Sequence, residues 1–279
     1  MPAEAVVRRL RQCALAVAVL HDVDLTPADD GVVLPGATDV LVGWAECGRA
    51  VAGEDPESAG ARERLADWLV LRRALADHHG DDLAERARPY AVPVLSPRHP
   101  GLDWIRKAVP GDALHLGFGF AGLDPRQPDG VIAVPHELLR AAGVRPEAWW
   151  AKAVGYLERM GQLAVQRFAR EPRPVLRPMG DCDVVTLLGS RALRTMLADQ
   201  SGGLCPVAVP DRSRGWFDLS RVDPAFAAAA WQLTDPAARA FPRPVLVTRD
   251  EVVTARVGSP TAPTAPTLIM SEYARNEPI

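Results

Sequence analysis

The chain has 279 residues, of which 48% are hydrophobic and 24% are charged. This balance is typical of a folded globular protein and excludes collagen-like and intrinsically disordered chains. With 32 basic and 35 acidic side chains the net charge is −3, so nothing predicts a nucleic-acid partner or binding to an anionic membrane surface. The length allows one large domain or two of ordinary size.

The N-terminal segment imitates a secretory leader but departs from one in two ways. An eight-residue apolar run, Cys13–Leu20, follows three arginines, yet Glu4 precedes them and Asp22 follows without a small-residue cleavage site. The run is also far shorter than the roughly 20 residues that cross a bilayer. We therefore interpret it as the first helix of a cytoplasmic protein and expect no membrane partner.

The cysteines and histidines give no sign of a metal centre. No CxxC pair, HExxH motif or His/Cys cluster occurs, although zinc sites need such spacings because several ligands must reach one ion. We predict no metal site, and no motif points to a cofactor. The cysteines are expected to be small buried hydrophobes: Cys13, Cys47, Cys182 and Cys205.

Composition and charge divide the chain into three parts. Residues 1–88 are predicted to be a helical N-terminal section, residues 89–258 an α+β domain, and residues 259–279 a flexible tail rich in Pro and Thr. Residues 1–90 carry 10 basic and 16 acidic side chains, whereas residues 91–258 carry 21 and 17. An acidic front can attract a basic body within one chain or between two, so a homodimer is one expected assembly.

Three helices are predicted in the front section. The first covers residues 3–20, and the second covers residues 38–51, with one of its first two side chains as the cap. The third covers residues 55–79, because a proline stands in its first turn and a glycine follows its last. It carries one broad apolar stripe: Leu65, Trp68, Leu69, Leu71 and Leu75.

From residue 89 onward, strands alternate with helices. Ala91–Leu95 is β-like but contains a proline, which favours an edge strand or the start of a strand. Residues 112–120 alternate in hydropathy and, with Val131–Val134, predict a hairpin. Residues 181–198 form either one helix or a strand that runs into a helix. Other strands are predicted at 204–209, 215–219, 245–247 and 252–257, and other helices at 136–142, 146–163 and 223–233.

The predicted fold class follows from this mixture. Hairpins with intervening helices indicate α+β, with a helical N-terminal section followed by a mixed, mainly antiparallel sheet with packed helices. Three motifs occur in order within roughly residues 111–258: Val131–Pro135, Gly180-Asp181, and Pro206–Pro210 followed by Trp216–Asp218. They resemble the uncharacterised family named after the protein YtpQ. The resemblance implies an α+β fold, and it implies no chemistry because that family has no established catalytic residues.

The alternating strand carries the most distinctive candidate residues. Its large side chains share one face, while His115, Gly117 and Gly119 share the other. The glycines do not fit a phosphate loop, which requires GxGxxG at the start of a helix. We expect an exposed strip with one imidazole that receives an aromatic ligand or a covering helix. The alternative is a structural histidine beside glycines that admit close packing.

Carboxylates and arginines supply the other polar candidates. Asp181 and Asp211 are the predicted acid–base partners of His115, although helix capping alone also explains an aspartate at a helix start. Arg173 and Arg177 end the densest basic cluster and are candidates for holding a carboxylate or phosphate, the alternative being a solvated helix end.

A pair of aromatic residues completes the predicted site. Trp216 and Phe217 follow a charged loop, where large rings beside charges favour docking of a ligand or partner. Our first hypothesis is an accessory module that binds a small molecule, a peptide or a partner in a groove between sheet and helices. The alternative is a cofactor-free cyclase, isomerase or hydrolase that uses His/Asp acid–base chemistry on a small or peptidic substrate.

Overall fold

The computed structural model describes residues 2–36, 38–51, 54–78, 80–94, 104–124, 130–136, 139, 146–235, 238–257 and 268–269. The chain forms two compact units whose sequence ranges interleave. The first, the N-terminal unit, comprises residues 1–90, 100–105 and 117–153, and the second, the C-terminal unit, comprises residues 91–99, 106–116 and 154–279. Helices and mostly antiparallel sheets occur together, so the predicted α+β class is confirmed.

The helices are α1 (Pro2–Leu20), α2 (Trp44–Ala50), α3 (Ala59–Asp77), α4 (Gly80–Arg86), α5 (Pro146–Arg170), α6 (Val184–Leu187), α7 (Arg191–Gln200) and α8 (Pro224–Leu233). The first seven strands are β1 (Thr26–Pro27), β2 (Gly31–Leu34), β3 (Val40–Gly43), β4 (Ala87–Pro93), β5 (Arg106–Ala108), β6 (Leu114–Ala121) and β7 (Val131–Ala133). The others are β8 (Val175–Leu176), β9 (Cys205–Asp211), β10 (Arg214–Trp216), β11 (Val245–Val247), β12 (Val252–Thr254), β13 (Arg256–Val257) and β14 (Leu268–Ile269). Within the described ranges, no helix combines the length and apolar character that crossing a bilayer requires.

The N-terminal unit contains a small sheet that the helical prediction for residues 1–88 did not include. β1, β2 and β3 are antiparallel neighbours, with Val32 opposite Val42. The prediction of one helix over residues 38–51 was therefore wrong in its first half, where β-branched side chains pair with β2. The helix begins only at Trp44, and Gly43 at its N-cap makes no side-chain capping bond.

Helix α3 provides the main apolar face of this unit. It begins at Ala59, after Ser58 accepts a hydrogen bond from the Ala61 N–H at 3.1 Å, so the cap lies later than the predicted start. Most of the predicted stripe is fully buried in one core with α1 and the aromatic residues of β6. Trp68 donates its indole N–H to Glu46, which also pairs with Arg72 and so ties α2 to α3.

The four cysteines, all among the described residues, are buried as predicted and form no disulfide. Burial raises the pKa of Cys47 to about 12, with smaller contributions from Glu46 and Cys13. A thiol with such a pKa is protonated at neutral pH and is a poor nucleophile. These cysteines therefore act as core residues.

The C-terminal unit is organised on a five-stranded antiparallel sheet in the order β12-β11-β9-β10-β8. The ambiguous stretch 181–198 is helical in two parts: Asp183 caps the single turn α6, and Ser190 caps α7. The predicted helix at 223–233 is confirmed, with Asp223 as its cap. β4 lies at the end of a separate sheet order, β4-β6-β5, as predicted for an edge strand. Most of the expected helix at 136–142 and of the predicted tail at 259–279 falls outside the described residues, which include only 136 and 139 of the former and the β14 residues 268–269 of the latter.

A partly buried ion pair fixes the loop between β9 and β10. The Arg212 guanidinium donates to Asp183 at 2.6 Å and to the Ala91 carbonyl at 2.7 Å. The main chain of Arg212 accepts from the Val184 N–H and donates to the Ala238 carbonyl. One arginine thus joins four segments of the C-terminal unit.

We expect this pair to contribute far more stability than an exposed pair of the same length. Asp183→Ala leaves a largely buried guanidinium without its carboxylate and removes the α6 cap, so the free energy of unfolding should fall by about 2–4 kcal/mol. Asp199→Ala is the matched control, because its 2.6 Å bond to Arg249 is exposed and its loss should cost about 1 kcal/mol or less. Urea unfolding measures both, and equal losses would contradict this assignment.

Candidate functional site

The candidate site forms where the chain leaves α5 and joins the edge of the five-stranded sheet. Two prolines follow soon after the last residue of α5 and prevent the helix from continuing, because proline has no N–H to donate. The extended chain then forms β8, whose Val175 and Leu176 pair with Trp216 and Gly215 of β10. This pairing places residues that are distant in the sequence at one sheet edge.

Two aromatic rings and one guanidinium form a packed group beside this edge. The Trp216 and Phe226 rings meet edge to face, with centroids 5.8 Å apart. The Arg221 guanidinium carbon lies 5.6 Å from the Trp216 centroid and 5.8 Å from that of Phe226. A cation at these distances is attracted to the ring faces, so the two rings help to hold Arg221 in place.

A depression of about 340 Å³ opens next to this group and is lined by Pro174, Val175, Arg177, Arg214, Trp216, Asp218 and Arg221. Its lining thus combines three arginines with apolar side chains. We name Arg177, Arg214, Trp216, Arg221 and Phe226 the arginine–tryptophan surface.

The charges of this depression are unbalanced. Arg177 and Arg214 are exposed, and neither guanidinium has a hydrogen-bond or ion-pair partner within the described part of the chain. Asp218 is the one carboxylate in the lining, and it accepts bonds from the Ser220 N–H and hydroxyl, both at 2.9 Å. These bonds, with a smaller contribution from Arg221, lower the pKa of Asp218. Three arginines against one aspartate leave the depression positively charged at neutral pH.

The predicted arginine cluster separates into different roles. Arg167 donates to the carbonyls of Arg177 and Pro178, at 3.0 and 3.4 Å, and so fixes the chain that follows β8. Arg173 lies 3.9 Å from Glu171, but both side chains are two-thirds exposed and such a pair contributes little. Of this cluster, Arg177 belongs to the depression.

The predicted residue Phe217 follows directly after β10 and packs against α5. Its ring centroid is 5.7 Å from that of Phe168 on α5. Phe168, Arg173 and Arg177 help to line a second cavity of about 80 Å³, which has room for a few water molecules at most. Four predicted binding residues, Arg173, Arg177, Trp216 and Phe217, therefore lie on or beside the β8–β10 pair.

The three predicted acid–base residues have different surroundings. His115 lies on β6, where burial, with the charge of Arg106, lowers its pKa. The exposed Asp181 accepts a bond from the Tyr156 hydroxyl at 3.2 Å. Asp211, at the end of β9, accepts from the Ser213 N–H at 2.5 Å and closes the β9–β10 turn. These contacts do not connect the three side chains, so their joint acid–base role stays a prediction.

The strip expected at Gly117 and Gly119 is covered rather than exposed. Both glycines are buried. A Cβ on Gly117 would collide with the Trp104 ring and the Ile105 carbonyl, and one on Gly119 would collide with the Ile132 carbonyl. Trp104 also donates its indole N–H to the Phe118 carbonyl at 3.3 Å. The glycines therefore admit close packing, and the expectation of an open binding strip is corrected.

Sequence reasoning missed Arg214, Arg221 and Phe226 as members of the site. Arg214 was visible as a basic residue two positions before Trp216. Phe226 and Arg221 are recognisable only once the α8 cap is placed, because the chain must turn for their side chains to meet the indole ring. Within the described ranges, no group of three or more His, Cys, Asp or Glu side chains is placed to hold a metal ion.

No family model, curated protein or solved structure matches this chain. The resemblance to the YtpQ-like family therefore stays a prediction.

The packing over Gly117 can be tested by adding one methyl group. Gly117→Ala should lower the free energy of unfolding by about 1–3 kcal/mol, because the Trp104 ring and the Ile105 main chain must move. Gly155→Ala in α5 is the control: its nearest neighbour is a flexible arginine tip at 4.0 Å, so alanine should stabilise the helix by about 0.5–1 kcal/mol. A Gly117→Ala protein as stable as the parent, by urea unfolding, would show that this space is open.

The burial of His115 predicts the direction of its pH dependence. Its imidazole should titrate below 6.5 in an NMR pH titration of the folded protein. Because the unfolded chain then takes up the proton more readily, the free energy of unfolding should fall as the pH drops below about 6.5 and be unaffected by this group well above it. His115→Gln should remove this contribution to the pH dependence of the free energy of unfolding. A midpoint at or above 6.5 would contradict the expected burial.

Proposed function

We propose that this protein is a binding module that recognises an anionic group, a carboxylate or a phosphate, at the arginine–tryptophan surface. The observation that carries the proposal is that Arg177 and Arg214, whose guanidinium groups have no partner among the described residues, line one depression with Trp216. Unpaired arginines on a sheet edge are available to form charge-assisted, bidentate hydrogen bonds with oxyanions.

The neighbouring rings make this surface better suited to binding than a set of solvated arginines. Arg221 is held over two rings, and the β8–β10 pairing fixes the main chain at Arg214 and next to Arg177. Less side-chain freedom is therefore lost when an anion binds. Trp216 adds a flat apolar contact for the body of the ligand.

Binding suits these side chains better than acid–base catalysis. Arginine stays protonated at all physiological pH values, so it neither takes up nor releases a proton during a reaction. The pKa of Asp218 is lowered, and its carboxylate already accepts two hydrogen bonds from Ser220. The lining thus offers charge, shape and an aromatic face, whereas the enzymatic alternative depends on His115, Asp181 and Asp211 and stays a prediction.

Titration with citrate and with pyrophosphate at constant ionic strength tests the proposal. The chain has seven tryptophans, so the fluorescence change that belongs to Trp216 is isolated by comparison with Trp216→Phe. We expect a saturable change with at least one of the two anions. Arg177→Ala and Arg214→Ala should each weaken binding roughly tenfold, since each removes a charge-assisted contact worth about 1.4 kcal/mol or more.

Arg243→Ala is the matched control, because Arg243 is also exposed and unpartnered within the described residues but lies outside the lining of the depression. It should leave the affinity unchanged. Equal weakening by all three substitutions would indicate general charge attraction, and no saturable signal with either anion would overturn the site.

A further inference from the structure

Helix α8 presents an apolar face to solvent. It contains no charged residue, and among its side chains only Ala227 is fully buried. Phe226 is 37% exposed and Leu233 is 90% exposed. The exposed side chains follow helical spacing and share one face: Ala225, Phe226, Ala229, Gln232 and Leu233. Outward helix faces normally carry charge, so a contiguous apolar face indicates a contact surface.

This apolar face is continuous with the arginine–tryptophan surface. Phe226, in the first turn of α8, contacts the Trp216 ring and lies under the Arg221 guanidinium. Leu219, 77% exposed, lies in the turn between Trp216 and α8. Phe226 therefore joins the arginine–tryptophan surface to the exposed apolar face of α8.

We propose that this combined surface binds an acidic, amphipathic polypeptide segment of a partner protein. The segment would place its carboxylates against Arg177 and Arg214 and its apolar side chains along α8. The inference rests on the proposed anion-binding function and specifies its ligand. Charge complementarity selects an acidic segment, and the apolar face requires a ligand that also has apolar side chains.

The dimensions of the surface agree with a short segment. The ten residues of α8 span about 15 Å, and the depression extends the surface beyond its first turn. A helical segment of about 10–16 residues, roughly 15–24 Å long, covers this length, and an extended segment needs only about half as many residues. The alanines at 225 and 229 allow a partner main chain to approach closely, because a methyl group is the only side-chain atom in its way.

Two other occupants fit less well. A free small anion would engage the arginines and leave the α8 face in water. A second copy that used the same surface about a twofold axis would offer the arginines only one carboxylate of the lining, Asp218, which already accepts two bonds from Ser220. The acidic segment satisfies both the charge and the apolar face.

Selection from a phage-displayed library of random 16-residue peptides tests the inference. The full chain is the bait, and binders to the Arg177→Glu/Arg214→Glu double variant are removed first. We expect enriched peptides with net negative charge and apolar residues at spacings of three and four, or at alternate positions. A synthetic copy of the most enriched peptide should then lose at least fivefold in affinity for Leu233→Ser. Leu163→Ser, which alters an exposed leucine of α5, should bind it unchanged.

The outcomes separate this inference from the proposed function. Selected peptides without acidic residues, no enrichment over the double variant, or full affinity for Leu233→Ser would each overturn the acidic segment, while citrate or pyrophosphate binding that depends on Arg177 would leave the anion site intact. A dimer in sedimentation equilibrium that Leu233→Ser dissociates would assign the α8 face to a second copy and also overturn it. If neither the anions nor the peptides bind, both proposals fail.

Discussion

The partly buried pair of Asp183 and Arg212 is the constraint on which the rest of the C-terminal unit depends. Its guanidinium reaches the carbonyl of Ala91, while the main chain of the same residue bonds to α6 and to the Ala238 carbonyl. A charge in this position is tolerated because a carboxylate and a main-chain carbonyl accept hydrogen bonds from the guanidinium. The β9–β10 turn is therefore fixed, and the residues that follow it, from Arg214 to Trp216, keep a defined position at the sheet edge.

Local signals in the sequence predicted the helices and strands that depend on local physics. Asp223 followed by proline marked the start of α8, and strong alternation marked β6, because capping and strand periodicity act within a few residues. The strand at Val40–Gly43 was missed because its pairing with β2 outweighs the helix-compatible sequence that follows it. Gly117 was misread for a similar reason: which side chain covers a glycine depends on a distant segment, here Trp104.

The candidate site was predictable in its components but not in its assembly. Trp216 was identified by its large ring and Arg177 by the local density of charge, because both properties can be read directly from the sequence. Their meeting depends on the pairing of β8 with β10 across two helices and a strand, and no local pattern encodes that register. Asp181 and Asp211 look alike in the sequence. In the structure, Asp181 accepts a hydrogen bond from the Tyr156 hydroxyl, whereas Asp211 accepts one from the Ser213 N–H.

Because β8 is short, it limits how a bound polypeptide can be recognised at this sheet edge. An open sheet edge invites strand addition, yet here the edge is two residues long and stands between Pro174 and Pro178, which lack the amide hydrogen that a β-ladder needs. A bound polypeptide can therefore form few main-chain hydrogen bonds with β8 and must be recognised through its side chains. The same prolines protect the molecule from edge-to-edge polymerisation, so the surface remains open to a ligand without templating fibrils.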